Sequence, residues 1–429
     1  LGKGARIERL LLHGLHFGIV DEADSVLVDE ARTPLIISGE GSGTAEQAVY
    51  HEAFRLAGEL REPEHYLVIP AAHAVEITDQ GRSAIEQGAW ELARGWTTVR
   101  QREELVRQSL VACRLYDRDK HYLVRDGKVQ IIDEYTGRVM PDRSWERGLH
   151  QLIEIKEGCE ITTRKETKAR ISYQRFFRRY LHLSGMTGTA REITGELWST
   201  YSLPVVSIPT NRPLQRTYLG ERVFTTEEQK WQAVKDEVIK VHGMNRPVLV
   251  GTRSVAASER LSRLLDESGL AHKVLNARQD KEEADIVALA GQAGSITVAT
   301  NMAGRGTDIK LGPGVADLGG LHVIATERHD ARRIDRQLFG RSARQGDPGT
   351  CIGLVSLEDE LISVQGGKAL GVLAGLLKTP GRWKAGWMGT LLFHLAQTSA
   401  QRSHARMRKS LLKVDEQLGD ALAFSGRTE

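Results

Sequence analysis

The chain has 429 residues, 40% hydrophobic and 27% charged, enough for two to four domains with cores of their own. Its 59 basic and 56 acidic residues leave a net charge of +3, which argues against a general nucleic-acid-binding surface. Cys113, Cys159 and Cys351 are far apart, form no CxxC pair and no zinc ligand set, and read as reduced thiols of a cytosolic protein.

Residues 1–16 read as a helix end or connector, with no charged and apolar leader pattern. The run Phe17-Gly18-Ile19-Val20 predicts a buried strand that ends in Asp21-Glu22-Ala23-Asp24. In open α/β sheets, ligands bind beyond the carboxyl ends of the strands. Acids placed there can hold Mg²⁺ through water and activate a water for attack on a phosphate. The same four residues are equally an acidic turn leaving the core.

Gly39 to Gly43 is a loop signal with three glycines in five residues. Beyond it, helices are expected over 44–62, Gly81–Trp96 and Glu103–Tyr116, with a strand pair at His65–Ile69 and Ala74–Thr78. Two β-rich runs between Tyr122 and Asp133 flank Asp126-Gly127, a strong hairpin signal. Ile171 to Leu183 reads as an aromatic, basic helix. It leads to Gly185-Met186-Thr187-Gly188-Thr189-Ala190, where small hydroxyl residues between glycines allow close backbone approach to a phosphate, or simply make a loop.

The second half alternates strand and helix. Strands are expected at Pro247–Thr252, Ala271–Leu275, Ser295–Thr300, Leu321–Thr326 and Cys351–Leu357. Helices are expected at Val255–Glu267 with Ser254 as N-cap, at Lys281–Ala290 and from Ala331 to about Ser342. This alternation predicts a parallel sheet covered on both faces. Arg341 and Arg344 are three apart, which places them on one face of a helical turn. Two guanidiniums aimed at a cleft can neutralise charge on a γ-phosphate. A solvated basic helix is the alternative. Gly366–Gly389 suggests no element, and Gly389 to Leu422 reads as a long helix. The most apolar stretch, Ala385–Gln401, falls short of the ~20 apolar residues of a membrane span.

The run from Phe17 through DEADSVLVDEARTPLIISG to Gly39 resembles the nucleotide-binding domain of the SecA family, the motor ATPases of bacterial protein export. The resemblance continues through Asp133-Glu134-Tyr135-Thr136-Gly137-Arg138, GMTGTA at 185–190, AGRGTD at 303–308 and Gln337 to Asp347, and covers nearly all of residues 7–360. It implies an α/β fold: two RecA-like parallel-sheet ATPase lobes, an inserted α+β preprotein-binding domain and a C-terminal helical segment. The implied boundaries are 1–40 and 169–209 for the first lobe, 41–168 for the insert, 210–360 for the second lobe and 361–429 for the start of a helical scaffold.

By the same resemblance the cofactors are ATP and Mg²⁺, with no zinc. Asp21 holds Mg²⁺ through water, Glu22 orients or deprotonates the attacking water, and Arg341 and Arg344 face the γ-phosphate. Thr187, Thr189, Gly306, Asp308 and Gln337 line the nucleotide cleft. The implied partners are unfolded preprotein, a SecYEG-type membrane channel and an anionic membrane surface, not nucleic acid, and a homodimer is compatible with it. The implied location is the cytoplasmic face of the bacterial inner membrane. Phe339, Ala343 and Asp280 stand where the family usually has Arg, Gly and His. The phosphate loop G-x-x-x-x-G-K-[ST] does not occur in residues 1–429, so this chain alone is expected to turn over ATP negligibly. An RNA helicase and a catalytically inactive binding module are the alternative readings.

Overall fold

The computed structural model describes residues 14–40, 45–70, 73–88, 98–132, 139–140, 143–163, 165–275, 283–300, 308–365 and 386–424. β1 (Phe17–Asp21) carries the apolar run into the acidic tetrapeptide. The backbone turns at Glu22, with φ at +50°, and coils through Ser25–Asp29 and Glu30–Arg32 before β2 (Pro34–Glu40).

A compact unit follows: α1 (Ala45–Glu59), β3 (Tyr66–Ile69), β4 (Ala74–Ile77), α2 (Asp79–Gly88), α3 (Val99–Leu115), β5 (Tyr122–Arg125), β6 (Lys128–Ile132), β7 (Val139–Met140) and α4 (Leu149–Lys156). Its apolar side chains, among them Leu56, Tyr66, Val106, Leu110, Leu152 and Ile153, bury one another, and every member of this cluster lies between Tyr50 and Cys159. The expected hairpin forms because Asp126 and Gly127 both take positive φ, +53° and +70°, the two-residue turn that matches strand twist.

β8 (Lys165–Ser172) returns antiparallel to β2, pairing Pro34 with Ser172 and Gly39 with Glu166. Gly39 is therefore part of a strand rather than of a loop, and residues 41–44 lie outside the described residues. The helix expected over 171–183 shrinks to α5 (Tyr173–Phe177), and β9 (His182–Met186) replaces its end. The aromatic spacing mimics a helical period, but pairing with β1 captures the chain: Phe17 to Asp21 lie parallel to His182 to Met186, residue for residue.

β1 is not the fully buried strand expected. Phe17 and Ile19 are 61% and 63% exposed, while Val20 packs on Ala23, Leu27 and Val28. Among the described strands β9 is its only partner, so one face of the pair is covered and the other is not. α6 (Thr194–Tyr201) closes this covered face through Leu197 and Tyr201.

The second half is the doubly covered parallel sheet. It comprises β10 (Gln215–Phe224), α7 (Glu227–His242), β11 (Val248–Thr252), α8 (Val255–Glu267), β12 (Lys273–Leu275), α9 (Glu283–Leu289), β13 (Ile296–Thr300), β14 (Leu321–Ala325), α10 (Arg332–Phe339) and β15 (Pro348–Ser356). The strand order is β10-β15-β14-β11-β13-β12, all parallel. Trp231, Val234 and Leu261 of α7 and α8 pack on one face, and Ile286, Val287 and Leu338 of α9 and α10 on the other. Ser254 caps α8 by accepting from the Ala257 N–H, as expected. β10 and α7 were not anticipated: β10 is a half-exposed edge strand broken by Gly220 at φ +91°.

α11 (Gly386–Phe424) is the long helix. Leu392, Phe393, Ala396 and Ala400 bury against Val355, Leu357, Leu361 and Ile362 of the second half. Farther along, the Arg408 guanidinium grips Glu196 of α6 at 2.6 and 2.7 Å, and Asp415 accepts from Ser172 N and Oγ at 3.0 and 2.7 Å. Among the described residues no helix is long and apolar enough to cross a membrane.

Candidate active site between the two halves

Asp24 is fully buried, and a buried carboxylate needs partners on every lone pair. Its Oδ1 accepts from Thr187 Oγ1 at 2.6 Å. Its Oδ2 accepts from Thr189 Oγ1 at 2.6 Å, Gln337 Nε2 at 2.7 Å and Arg333 Nη1 at 3.2 Å. The parallel pairing of β1 with β9 sets the two threonines beside Asp24. Gly185 makes the approach possible, because a Cβ there would lie 2.6 Å from the Ala23 side chain and 3.0 Å from the Val20 carbonyl.

The other two partners come from α10. Arg333 and Gln337 are four apart and share one helical face. Arg333 also forks onto both oxygens of buried Asp29. Burial pulls the Arg333 guanidinium below its ordinary pKa, while Asp24 pulls it back up. Arg336 adds a more exposed link to Glu192 at 3.4 Å.

Above this buried hub lies a cavity of about 830 Å³. Glu22, Thr189, Gln337, Arg341 and Arg344 all line it, so the structure brings five of the expected site residues to one space. Thr187 lies beneath, on Asp24. Asp21 stands beside Glu22 at the exposed end of β1 and accepts its N–H at 2.8 Å. Asp308 is set back from the cavity lining and holds Arg344 Nη1 at 3.1 Å and Gln345 Nε2 at 3.2 Å. Gly306 lies outside the described residues, as does Asp280.

Arg341 and Arg344 do not share a helical face. α10 ends at Phe339, Gly340 caps it, and Ala343 and Gln345 take φ of +56° and +54°. These left-handed residues curl the chain so that Arg344 Nε donates back to the Gly340 carbonyl at 3.1 Å while both arginines still reach the cavity. Ala343 carries a Cβ at a backbone angle that suits the glycine of the family pattern. Phe339 forms an apolar wall with Tyr218, their ring centroids 5.5 Å apart.

From the sequence Asp24 reads only as one of the acids of the tetrapeptide, and Asp29 and Arg333 are given no role. The four-residue spacing of Arg333 and Gln337 was the available signal, but burial of their carboxylate partners is not visible in a linear chain. The far wall of the cavity, formed by Thr390 and His394 of α11, carried no signal either.

The donor set fits a nucleotide polyphosphate. Guanidiniums match phosphate oxygens, and the acceptor-only carboxylates of Asp21 and Glu22 match a hydrated cation or a water proton. No group of three or more His, Cys, Asp or Glu side chains among the described residues is arranged to hold a metal. A Mg²⁺ held by one carboxylate, phosphates and water needs no such group.

A model of the SecA DEAD-like domain matches residues 4–198, and a model of the SecA P-loop domain matches 213–316 and 313–379. The chain is 51% identical to "Protein translocase subunit SecA 2" of Nitrosospira multiformis, covering 100% of this chain and 64% of that protein. It is 50% identical to the SecA 2 subunit of Bordetella avium, over 99% of this chain and 64% of the relative. It is also 50% identical to "Protein translocase subunit SecA 3" of Magnetococcus marinus, over 98% and 64%. The chain thus spans 64% of the length of these relatives. Two domain models that together match most of the chain, and half-identity to these relatives along nearly all of it, establish that the chain belongs to the SecA family.

Proposed function

We propose that this chain is the motor portion of an ATP-driven protein translocase, coupling ATP hydrolysis to the movement of unfolded preproteins through a SecYEG-type membrane channel. The observation that carries the proposal is the meeting of Glu22 with Gln337, Arg341 and Arg344 around one cavity, from segments more than 300 residues apart. Such a cleft responds to a ligand that touches both sides.

In this reading Asp21 would hold Mg²⁺ through water, and the metal would supply positive charge against the phosphates. Glu22 orients the attacking water and takes its proton. Arg341 and Arg344 stabilise the charge that develops on the γ-phosphate. Thr189 and Gln337 line the cleft, Thr187 supports it from beneath on Asp24, and Asp308 holds Arg344 from behind it; the role implied for Gly306 lies outside the described residues. Residues 1–40 and 169–209 form the first RecA-like lobe, 210–360 the second, 41–168 an inserted preprotein-binding domain and 361–429 the start of a helical scaffold. A peripheral position on the cytoplasmic face, against anionic lipid, follows from the partners.

The test is a chimaera that sets a G-x-x-x-x-G-K-[ST] phosphate-loop segment ahead of residue 1. It is expected to release phosphate from ATP in a Mg²⁺-dependent manner. Glu22→Gln, which keeps size and polarity, is expected to retain ATP binding and to lose hydrolysis by roughly 10²-fold or more. Normal turnover in the Glu22→Gln chimaera would remove Glu22 from the chemistry.

A further inference from the structure

α10 is only eight residues long, and no side chain caps its N-terminus. Two turns of helix are marginal without tertiary support. One face of α10 is held at Asp24 by Arg333 and Gln337. Asp335, two residues from each, points the other way. Its Oδ1 accepts from His329 N at 2.9 Å and His329 Nδ1 at 2.7 Å. Its Oδ2 accepts from Gln397 Nε2 at 2.6 Å. The same Gln397 amide donates to the His329 carbonyl at 2.8 Å, and its Oε1 accepts from Arg328 Nη1 at 3.3 Å. Gln397 is fully buried, and Asp335 is 3% exposed.

We propose that Gln397 of α11 is a positioning residue for the cleft: it pins Asp335 and the loop before α10, and so fixes how Arg333 and Gln337 meet Asp24. The proposal rests on reading the cavity as the nucleotide cleft. Gln397 touches no ligand; it acts through Asp335. α10 is anchored on two sides: its Arg333 and Gln337 reach Asp24, and its own Asp335 takes the side-chain amide that α11 supplies. One turn earlier, His394 of α11 lines the cavity itself. A shift of α11 along its axis therefore moves a cavity wall and the anchor of α10 together. Removing the amide leaves the buried His329 carbonyl short of a donor and Asp335 Oδ2 with only the longer Arg328 Nη1 contact at 3.5 Å, which loosens α10 more than it loosens α11, whose apolar packing remains.

The test is hydrogen exchange by mass spectrometry on the 429-residue chain without nucleotide. Gln397→Met keeps length and packing but deletes the amide. Its amides over 332–339 and 21–30 are expected to exchange roughly tenfold faster or more than in the parent. Phe393→Leu, a packing change on the same helix, is expected to lower the melting temperature without that local acceleration. Gln397→Asn, with an amide one methylene short, is expected to give a smaller acceleration in the same segments. Unchanged exchange in Gln397→Met, or equal acceleration in Phe393→Leu, would overturn the proposal. No nucleotide enters the measurement, so it decides the positioning role whether or not the chimaera hydrolyses ATP.

Discussion

Thr187 Oγ1 donates to Asp24 Oδ1 at 2.6 Å, although the two lie 163 positions apart in the chain. The contact is short because β1 and β9 run side by side, so both ends of the compact unit between them are fastened at one carboxylate. That carboxylate is also where α10 arrives from the other half of the molecule, through Arg333 and Gln337. A single buried acid therefore joins three parts of the chain.

Arg333 is the group whose loss is costliest. Arg333→Ala would leave Asp24 and Asp29 buried with no countercharge, and breaking a buried pair in this way costs about 3–5 kcal/mol. Denaturant unfolding should show that loss for Arg333→Ala. Adding Asp29→Asn to Arg333→Ala should restore part of it, because the second change removes one stranded charge. Additive losses in the double variant would mean that the two residues do not act on each other.

The second half was legible because strands buried on both faces read as continuous apolar runs. β11 and β13 are buried at all five positions, and both were anticipated. β10 escaped because an edge strand with Arg216, Glu221 and Arg222 and a positive-φ glycine has no such signature. Tyr173, Phe176, Phe177 and Tyr180 keep a helical spacing, yet a strand starts two residues later. Only the pairing with β1, a long-range fact, decides that. At the site, the sequence pointed to Arg341 and Arg344 through helical spacing. The structure brings both to the cavity through a left-handed turn instead. Asp24 as the hub could not be read, because its importance lies in its burial.

Arg344 reaches the cavity while bound to Asp308 at 3.1 Å. For a phosphate oxygen to take its charge, it must compete with that carboxylate. Arg344→Ala in the chimaera is expected to lower kcat by about 10²- to 10³-fold with a smaller change in KM, the pattern of an interaction made mainly in the transition state. Steady-state kinetics over a range of ATP concentrations separates the two. A change confined to KM would assign Arg344 to ground-state binding.

His322 and His121 make stability depend on pH. Burial, with Arg246 adding to it, lowers the His322 pKa from 6.5 to about 4. Burial and Lys120 lower that of His121 to about 4. Both rings are already used neutral: His322 Nδ1 lies 2.7 Å from Thr350 Oγ1, and His121 Nδ1 accepts the Asp117 N–H at 2.8 Å. Below pH 6.5 the unfolded chain takes up protons that the folded chain refuses, so stability falls as pH drops toward 4. At ~1.4 kcal/mol per pKa unit, each ring contributes up to about 3 kcal/mol of that loss. Urea unfolding at pH 7.5, 6 and 5 should show the fall, and His322→Gln should flatten it. A flat profile in the parent would show that neither ring resists protonation.

The last prediction concerns what the compact unit between β2 and β8 holds. Lys120, just before β5, reaches Glu360 beyond β15 at 2.9 Å, so among the described residues an exposed ion pair links the unit to the second half. Each partner is 40% exposed, and a pair of that kind contributes little energy and breaks readily. The unit is tied to the first half by the β2–β8 ribbon, whose far end is pinned where Asp415 caps Ser172. A body hinged on a two-stranded ribbon and resting on a weak contact can close over an extended chain. β5 and β7 are the outer strands of a three-stranded sheet, and a strand edge binds unfolded polypeptide through main-chain hydrogen bonds with little demand on sequence. Single-stranded RNA would instead need a basic groove with stacked aromatics. Photo-crosslinkers placed singly between residues 120 and 150 are expected to label an unfolded preprotein and not a single-stranded RNA. Lys120→Glu, which sets two carboxylates against each other, is expected to lower that labelling by weakening the closed position. RNA labelling without polypeptide labelling would reject the clamp and favour the helicase reading.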